Sequence, residues 1–398
     1  MVSASYIISL VLLCAITIAS SSGVALGGLL LVFVPQGLRW FVLSSILMVF
    51  IFFIYVYSDR KHEIRFSLTK ILILWVPFIL YIAIRSELLP VGLWKFAGFI
   101  MKVFFPCMVV IILYVNDRDR FEKFFIPVLV VLNVLMAIAA PILPDEEEMF
   151  NLSIWLSRGI AVSIFFLVTE FRFNRKLLFK IPLIVFFLGI MVFIGSRGPL
   201  LSLLITLSLY VCFMFKNKMI TIPLVVYCIF IIVVAFYYLE PAKKAFTSFL
   251  THGHRNQMQV ENFANDRIRL IKPTLLIVKE NPVFGCGFGS WVIGYIHSLI
   301  SDKSYSNFNY KRKFKRDFYY YPHNLICELL CELGIIGFML YMLIFYPFKQ
   351  FFSFRNRYVY LVVMAFLFAM TTDDLTGNPG IYIFNTLLLL TSGSANGD

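Results

Sequence analysis

The sequence predicts an all-α fold: a polytopic membrane helical bundle of about 12 transmembrane helices, with one large external loop between spans 9 and 10. Three observations carry that expectation. Of the 398 residues, 60% are hydrophobic and only 14% are charged, far from the composition of a soluble domain. The apolar residues fall into runs long enough to cross a hydrocarbon core of ~30 Å as helices. The segments between the runs alternate in basic content, as the two sides of a membrane require.

In chain order the predicted spans are 5–34, 39–57, 69–84, 96–115, 124–142, 153–170, 178–195, 198–215, 219–238, 323–345, 358–371 and 380–392. The first is long enough to be tilted or broken. Residues 1–37 lack a basic start and a small-residue cleavage site, so they read as a retained span rather than a secretory signal. With the N-terminus in the cytoplasm, the gaps after even-numbered spans are cytoplasmic. "SDRKHEIRFSLTK", "NDRDRFEK", "EFRFNRKLLFK", "KNK" and "KQFFSFRNR" together hold 16 basic residues, whereas "PILPDEEEMFN" and "TTDDLTGNPG" hold none. Both termini are therefore expected inside the cell. The organisation is one membrane domain: spans 1–9 over residues 1–238, the loop over 239–322, and spans 10–12 over 323–398. Six of the seven cysteines lie in apolar runs, Cys286 being the exception. Neither a disulfide framework nor a zinc spacing follows, and Cys327 and Cys331, four apart on one helix face, read as packing residues.

The external loop carries 13 Lys and Arg against 6 Asp and Glu. Long loops are exempt from the charge rule that orients short ones, so the topology stands and the charge needs its own reason. A solvated loop touching anionic headgroups is one reading; a site for an anionic, phosphate-bearing substrate is the other. "NDRIRLIKPTLLIVKENPVFGCGFGSW" (265–291) contains a short helix-like stretch, a turn at Asn281-Pro282, and then Gly285, Gly287 and Gly289. Such a glycine run fits either a phosphate cradle of backbone amides or a tight turn against the membrane surface. With no strand before it, a dinucleotide-binding reading is poor. "KRKFKRD" (311–317), beside three tyrosines, suits interfacial anchoring.

Ionisable groups in spans are costly and point to function. Arg197 lies in the tight turn "GSRGP" between spans 7 and 8, and Arg267 and Arg269 lie in the facing loop. Guanidinium groups grip phosphate oxygens in a fork and stay charged at any working pH. Two or three around one point would bind a diphosphate and stabilise it as a leaving group. His323, one of five histidines, opens span 10 on the same side and can accept a proton near neutrality. Asn324 beside it is placed to orient its ring or cap the helix. Glu328 and Glu332, one turn apart, can pair with the arginines or with Lys95 and Lys102 of span 4. As a paired-carboxylate glycosidase site they are unconvincing, because both lie inside the helix.

"GSRGPLLSLL", then an arginine-led segment running into "ENPVFGCGFGSW", then "PHNLICELLCELGIIG" opening a span, resemble the O-antigen ligase and O-antigen polymerase superfamily of bacterial envelopes. The likeness is densest over 190–345. It implies an inverting, metal-independent glycosyltransferase of the GT-C type, with no cofactor, in the inner membrane. The active site would be periplasmic and the donor an undecaprenyl-diphosphate-linked oligosaccharide. The resemblance places essential roles on Arg197, Arg267 and His323. Arg197 and Arg267, with Arg269, would clamp the diphosphate; His323 would receive the acceptor's proton; Asn324, Glu328 and Glu332 would support them. Register leaves the choice between Arg267 and Arg269 open, Arg267 being favoured because 271–275 then aligns. The histidine that enteric ligases carry two residues before the first is here Tyr321, which favours a polymerase acting on a second lipid-linked glycan over a ligase acting on lipid A core. A chain-length regulator is a further candidate partner; nucleic acid is not. A flippase or transporter of an anionic lipid-linked substrate is the reading from another class, and predicts charge near the midplane of several spans.

Overall fold

A computed structural model describes residues 2–18, 36–86, 90–139, 146–169, 177–194, 197–214, 271, 274–291, 324–346, 348–352, 354, 356–372 and 375–393. These residues build a helical bundle. Its elements are α1 (Val2–Ile18), α2 (Gln36–Val56), α3 (Lys61–Arg85), α4 (Pro90–Phe99), α5 (Phe105–Asn116), α6 (Arg118–Ala139), α7 (Glu146–Thr169), α8 (Leu177–Ile194), α9 (Arg197–Met214), α10 (Leu325–Leu343), α11 (Arg357–Thr372) and α12 (Pro379–Gly393). The predicted spans that fall on described residues map onto these in order. Of the first predicted span, 5–34, residues 5–18 are helical in α1 and 19–34 lie outside the described residues. The predicted ninth span, 219–238, and most of the predicted loop lie outside the described residues.

α4 passes through a π-turn, Ile100–Phe104, into α5. Pro106 has no N–H to give the carbonyl of residue 102, and one wide turn absorbs that loss without ending the span. Gly92–Asn116 thus forms one crossing. With Lys61–Arg85, Arg118–Ile138 and Leu325–Leu343, it is one of four described helices long and apolar enough to cross a membrane. Their surfaces confirm the solvent. On α3, Ile73, Val76, Leu80 and Ile84 are exposed, while Ile71, Trp75, Phe78 and Ile82 on the opposite face are buried. A helix apolar on both faces is at home only against lipid on one of them. The chain is a multi-pass membrane protein.

Inside a bilayer, helices associate through packing and buried polar contacts rather than by leaving water. α6 and α7 show both. Asn133, fully buried, donates from Nδ2 to Ser163 Oγ (2.9 Å) and to the Leu129 carbonyl (3.0 Å). Gly159 packs directly on Asn133, leaving no room for a Cβ. At the centre, Trp75, Phe78, Phe99, Tyr341 and Tyr382 pack ring against ring at centroid separations of 5.5–6.2 Å, joining α3, α4, α10 and α12. Offset and edge-on pairs at these distances attract beyond simple contact.

The connections sort to two ends, as alternating spans require. At one end the Phe288 N–H meets the Arg85 carbonyl (2.9 Å) and Asn324 Nδ2 meets the Met370 carbonyl (3.1 Å). At the other, the Tyr6 hydroxyl reaches the carbonyls of Leu113 and Asp117, both at 3.1 Å, and Asn356 Nδ2 reaches Thr391 Oγ1 at 2.7 Å.

Replacing Gly159 by Val should force α6 and α7 apart. Overpacking of this kind costs roughly 1–3 kcal/mol, so the apparent melting temperature of the detergent-solubilised protein is expected to fall by a few degrees. An unchanged melting temperature would contradict the packing of Gly159 on Asn133.

Candidate functional site

The polar groups of the first end converge on the start of α10. Asn324 is its N-cap: extended backbone (φ −152°, ψ 115°) with Oδ1 accepting from the Cys327 N–H at 3.0 Å. Its Nδ2 holds the end of α11 through Met370. One and two turns into the helix, Glu328 and Glu332 point to the same side and share one cation. Lys95 Nζ, from α4, is 2.5 Å from Glu328 Oε1 and 2.6 Å from Glu332 Oε2. Glu328 Oε2 also accepts the N–H of Leu375 in the α11–α12 turn (2.8 Å), and Glu332 Oε1 accepts the N–H of Trp291 (3.4 Å). The carboxylate side chains are 2% and 3% exposed and that of Lys95 is 14% exposed, so the cluster is approached from the lysine side. Four separate segments are thereby fixed to one another.

The glycine-rich segment is the second component. After helical residues 274–280 the chain turns, and Gly285, Gly287 and Gly289 adopt φ of 71°, 111° and 80°. α10 is broken at Gly334 (φ 65°, ψ −168°), a conformation open in practice only to glycine. The glycine loop fills that break. The Cys286 N–H bonds to the Cys331 carbonyl (2.8 Å) and the Gly287 N–H to the Glu332 carbonyl (2.9 Å). In return the N–H groups of Ile335 and Ile336 bond to the carbonyls of Pro282 (2.9 Å) and Val283 (3.3 Å). The Leu333 carbonyl takes the Tyr81 hydroxyl at 2.9 Å. Backbone groups released by a broken membrane helix must find partners in protein, and here each of these does.

This geometry decides between the two readings of the glycine run. A phosphate cradle needs free amides. Those of Gly285, Cys286, Gly287 and Phe288 are occupied by carbonyls of Asn281, Cys331, Glu332 and Arg85. The run is a tight turn that lets the loop approach α10 closely, and a Cβ on Gly285 would strike the Glu332 backbone. α3 holds the other side of the loop. Arg85 Nη2 donates to the Gly285 carbonyl at 2.9 Å, and a parallel bridge pairs Ser86 with Phe288. The Phe288 ring covers the ammonium of Lys95, 5.0 Å from Nζ to centroid, a favourable contact for a cation. Trp291 Nε1 bonds to Thr274 Oγ1 at 2.9 Å, tying the loop to its preceding helix.

Arg197 opens α9, but its side chain, with all of Arg267, Arg269 and His323, lies outside the described residues. His323 is adjacent in the chain to Asn324, at the mouth of α10. Of the site residues expected from the sequence, Asn324, Glu328 and Glu332 are described, and of the partners expected for the glutamates, which were the arginines, Lys95 and Lys102, the structure pairs them with Lys95. Tyr81, Arg85, Trp291 and Gly334 were not singled out. Gly334 had the only local signal, a glycine within an apolar run directly after paired glutamates.

Residues 182–342 match the O-antigen ligase family. The matched stretch is less than half of the chain. It takes in α9, the glycine loop and nearly all of α10, so the match supports placement in the O-antigen ligase and polymerase superfamily and, with it, glycosyl transfer at a membrane. No curated protein and no solved structure matches the chain.

Three variants test this arrangement. Removing one member of a buried ion cluster typically costs about 3–5 kcal/mol, so Lys95→Ala should lower thermal stability sharply. The triple change Lys95→Met, Glu328→Gln, Glu332→Gln should recover much of the loss in a melting assay. Gly334→Ala combines about 1–3 kcal/mol of backbone strain with a clash against Val283. It is expected to expose the 281–291 segment to limited proteolysis, and equal protection in mutant and parent would argue against the docked loop.

Proposed function

We propose that this protein is an inner-membrane polysaccharide polymerase that joins undecaprenyl-diphosphate-linked repeat units on the periplasmic face. The observation that supports the reading most is the seating of the glycine loop in the broken α10, within the family-matched region and on the same helix that Asn324 caps. A lipid-linked substrate has its reacting bond at the boundary between hydrocarbon and water. This end of the bundle supplies, at that boundary, a rigid wall made from three helices and a loop.

In this mechanism Arg197 and Arg267, with Arg269 beside them, bind the diphosphate oxygens. The acceptor hydroxyl attacks the anomeric carbon from the face opposite the diphosphate. The new C–O bond forms as the old one breaks, so the configuration inverts. The hydroxyl proton passes to the His323 imidazole, and undecaprenyl diphosphate leaves with the bonding electrons. The guanidiniums stabilise its developing charge in a site of low dielectric, where such stabilisation is strongest. Asn324 caps the first turn of α10. Glu328 and Glu332, both engaged by Lys95, position that turn rather than attack sugar. Cytoplasmic termini and a periplasmic site follow the charge pattern of the loops.

The test is reconstitution with an undecaprenyl-diphosphate-linked repeat unit as sole substrate, in chelator, beside Arg197→Ala, Arg267→Ala and His323→Ala. A ladder of longer lipid-linked glycans, reduced by at least about 100-fold in each variant, is the expected outcome. Transfer that occurs only when lipid A core is added would make the protein a ligase. Absence of transfer to either acceptor would overturn the glycosyltransferase reading in favour of transport.

A further inference from the structure

We infer that Cys286 and Cys331 are a redox modification site, closing reversibly to a disulfide that fastens the glycine loop to α10. The inference rests on the geometry of the loop and not on the proposed reaction. The two sulfurs lie 3.9 Å apart, and both cysteines are free thiols. They flank the hydrogen bond from the Cys286 N–H to the Cys331 carbonyl, 2.8 Å long. With standard backbone lengths, that bond caps the Cα···Cα separation at about 6.7 Å, inside the range that disulfides bridge. Closure is therefore a matter of side-chain rotation, with the backbones already in place. Cys327 does not compete for Cys331. Cβ atoms one turn apart on a helix are ~5–6 Å from each other, beyond the ~3.5–4.5 Å that a disulfide allows.

The two thiols differ in access. Cys331 is fully buried, and Cys286 is half-buried at the rim of the loop. Cys286 therefore meets the oxidant, whose chemical class is a disulfide: glutathione disulfide or the oxidised form of a dithiol oxidoreductase. The Cys286 thiol gives up its proton to solvent and its sulfur attacks one sulfur of that disulfide. A mixed disulfide forms and one thiolate leaves. Cys331 then loses its proton and attacks Cys286 Sγ, releasing the second thiolate. Two electrons pass from the cysteine pair to the oxidant, which departs as two thiols. The product closes a loop between positions 45 residues apart. That loop contains the basic cluster 311–317 and His323, so oxidation tethers both flanks of the segment leading into α10. On the periplasmic orientation proposed above, this end faces an oxidising compartment.

The experiment uses the purified full-length protein in detergent, exposed to a series of glutathione disulfide to glutathione ratios, then alkylated, digested and analysed by mass spectrometry. The expected result is the loss of two alkylatable thiols and a peptide pair joined at Cys286 and Cys331. Dithiothreitol should reverse both. The joined pair should be absent from Cys286→Ser and Cys331→Ser and retained in Cys327→Ser. Glutathione left on Cys286 with Cys331 still open to alkylation after unfolding, a link between Cys331 and Cys327, or no loss of thiols would each overturn the inference.

Discussion

One lysine between two glutamates organises the functional end of this bundle. Charge at membrane depth is tolerated only in pairs or networks that satisfy it, and Lys95, Glu328 and Glu332 satisfy one another across α4 and α10. The constraint is stronger than a single pair would impose. Because the carboxylates stand on successive turns, the ammonium can bridge them only at one height and one rotation of α10. Each carboxylate also takes a backbone N–H, from Leu375 and from Trp291, so the turn before α12 and the end of the glycine loop inherit the same register. The aromatic cluster of Phe99, Tyr341 and Tyr382, with Trp75 and Phe78 of α3, joins α4, α10 and α12 as well.

The break in α10 depends on that register. A membrane helix that opens at Gly334 exposes carbonyls and N–H groups which lipid cannot satisfy. The glycine loop closes them because three positive-φ residues let its backbone approach the helix backbone directly, and because Tyr81 and Arg85 of α3 close the remaining side. Loop, broken helix and α3 form one hydrogen-bonded unit, and the family-matched region runs through its centre.

Much of the bundle was legible in the sequence because apolar run length and loop charge follow from the bilayer itself. That the glutamates need a cation was legible for the same reason, because carboxylates in a span must be paired; the choice of Lys95 over Lys102 or the arginines came from the structure. The role of Gly285, Gly287 and Gly289 was not. Positive φ serves a phosphate cradle and a close helix approach equally well, and only the partners of the amides distinguish them. Gly334 escaped notice because glycine is common in membrane helices and a break leaves no pattern in hydropathy. The approach of Cys286 to Cys331 was hidden by their sequence separation; the visible spacing, Cys327 to Cys331, drew attention to the wrong neighbour.

The contacts between α3 and the rest of this unit also set an order of events during biogenesis. Tyr81 and Arg85 find their acceptors 252 and 200 residues further along the chain. While the ribosome is still making the middle of the protein, α3 stands in the membrane with a phenol and a guanidinium that have no permanent partners. The glycine loop, emerging next, has nowhere to lodge until α10 follows it. The wall of the site is therefore assembled last, and a chain truncated before α10 would hold its early helices yet lack the wall altogether.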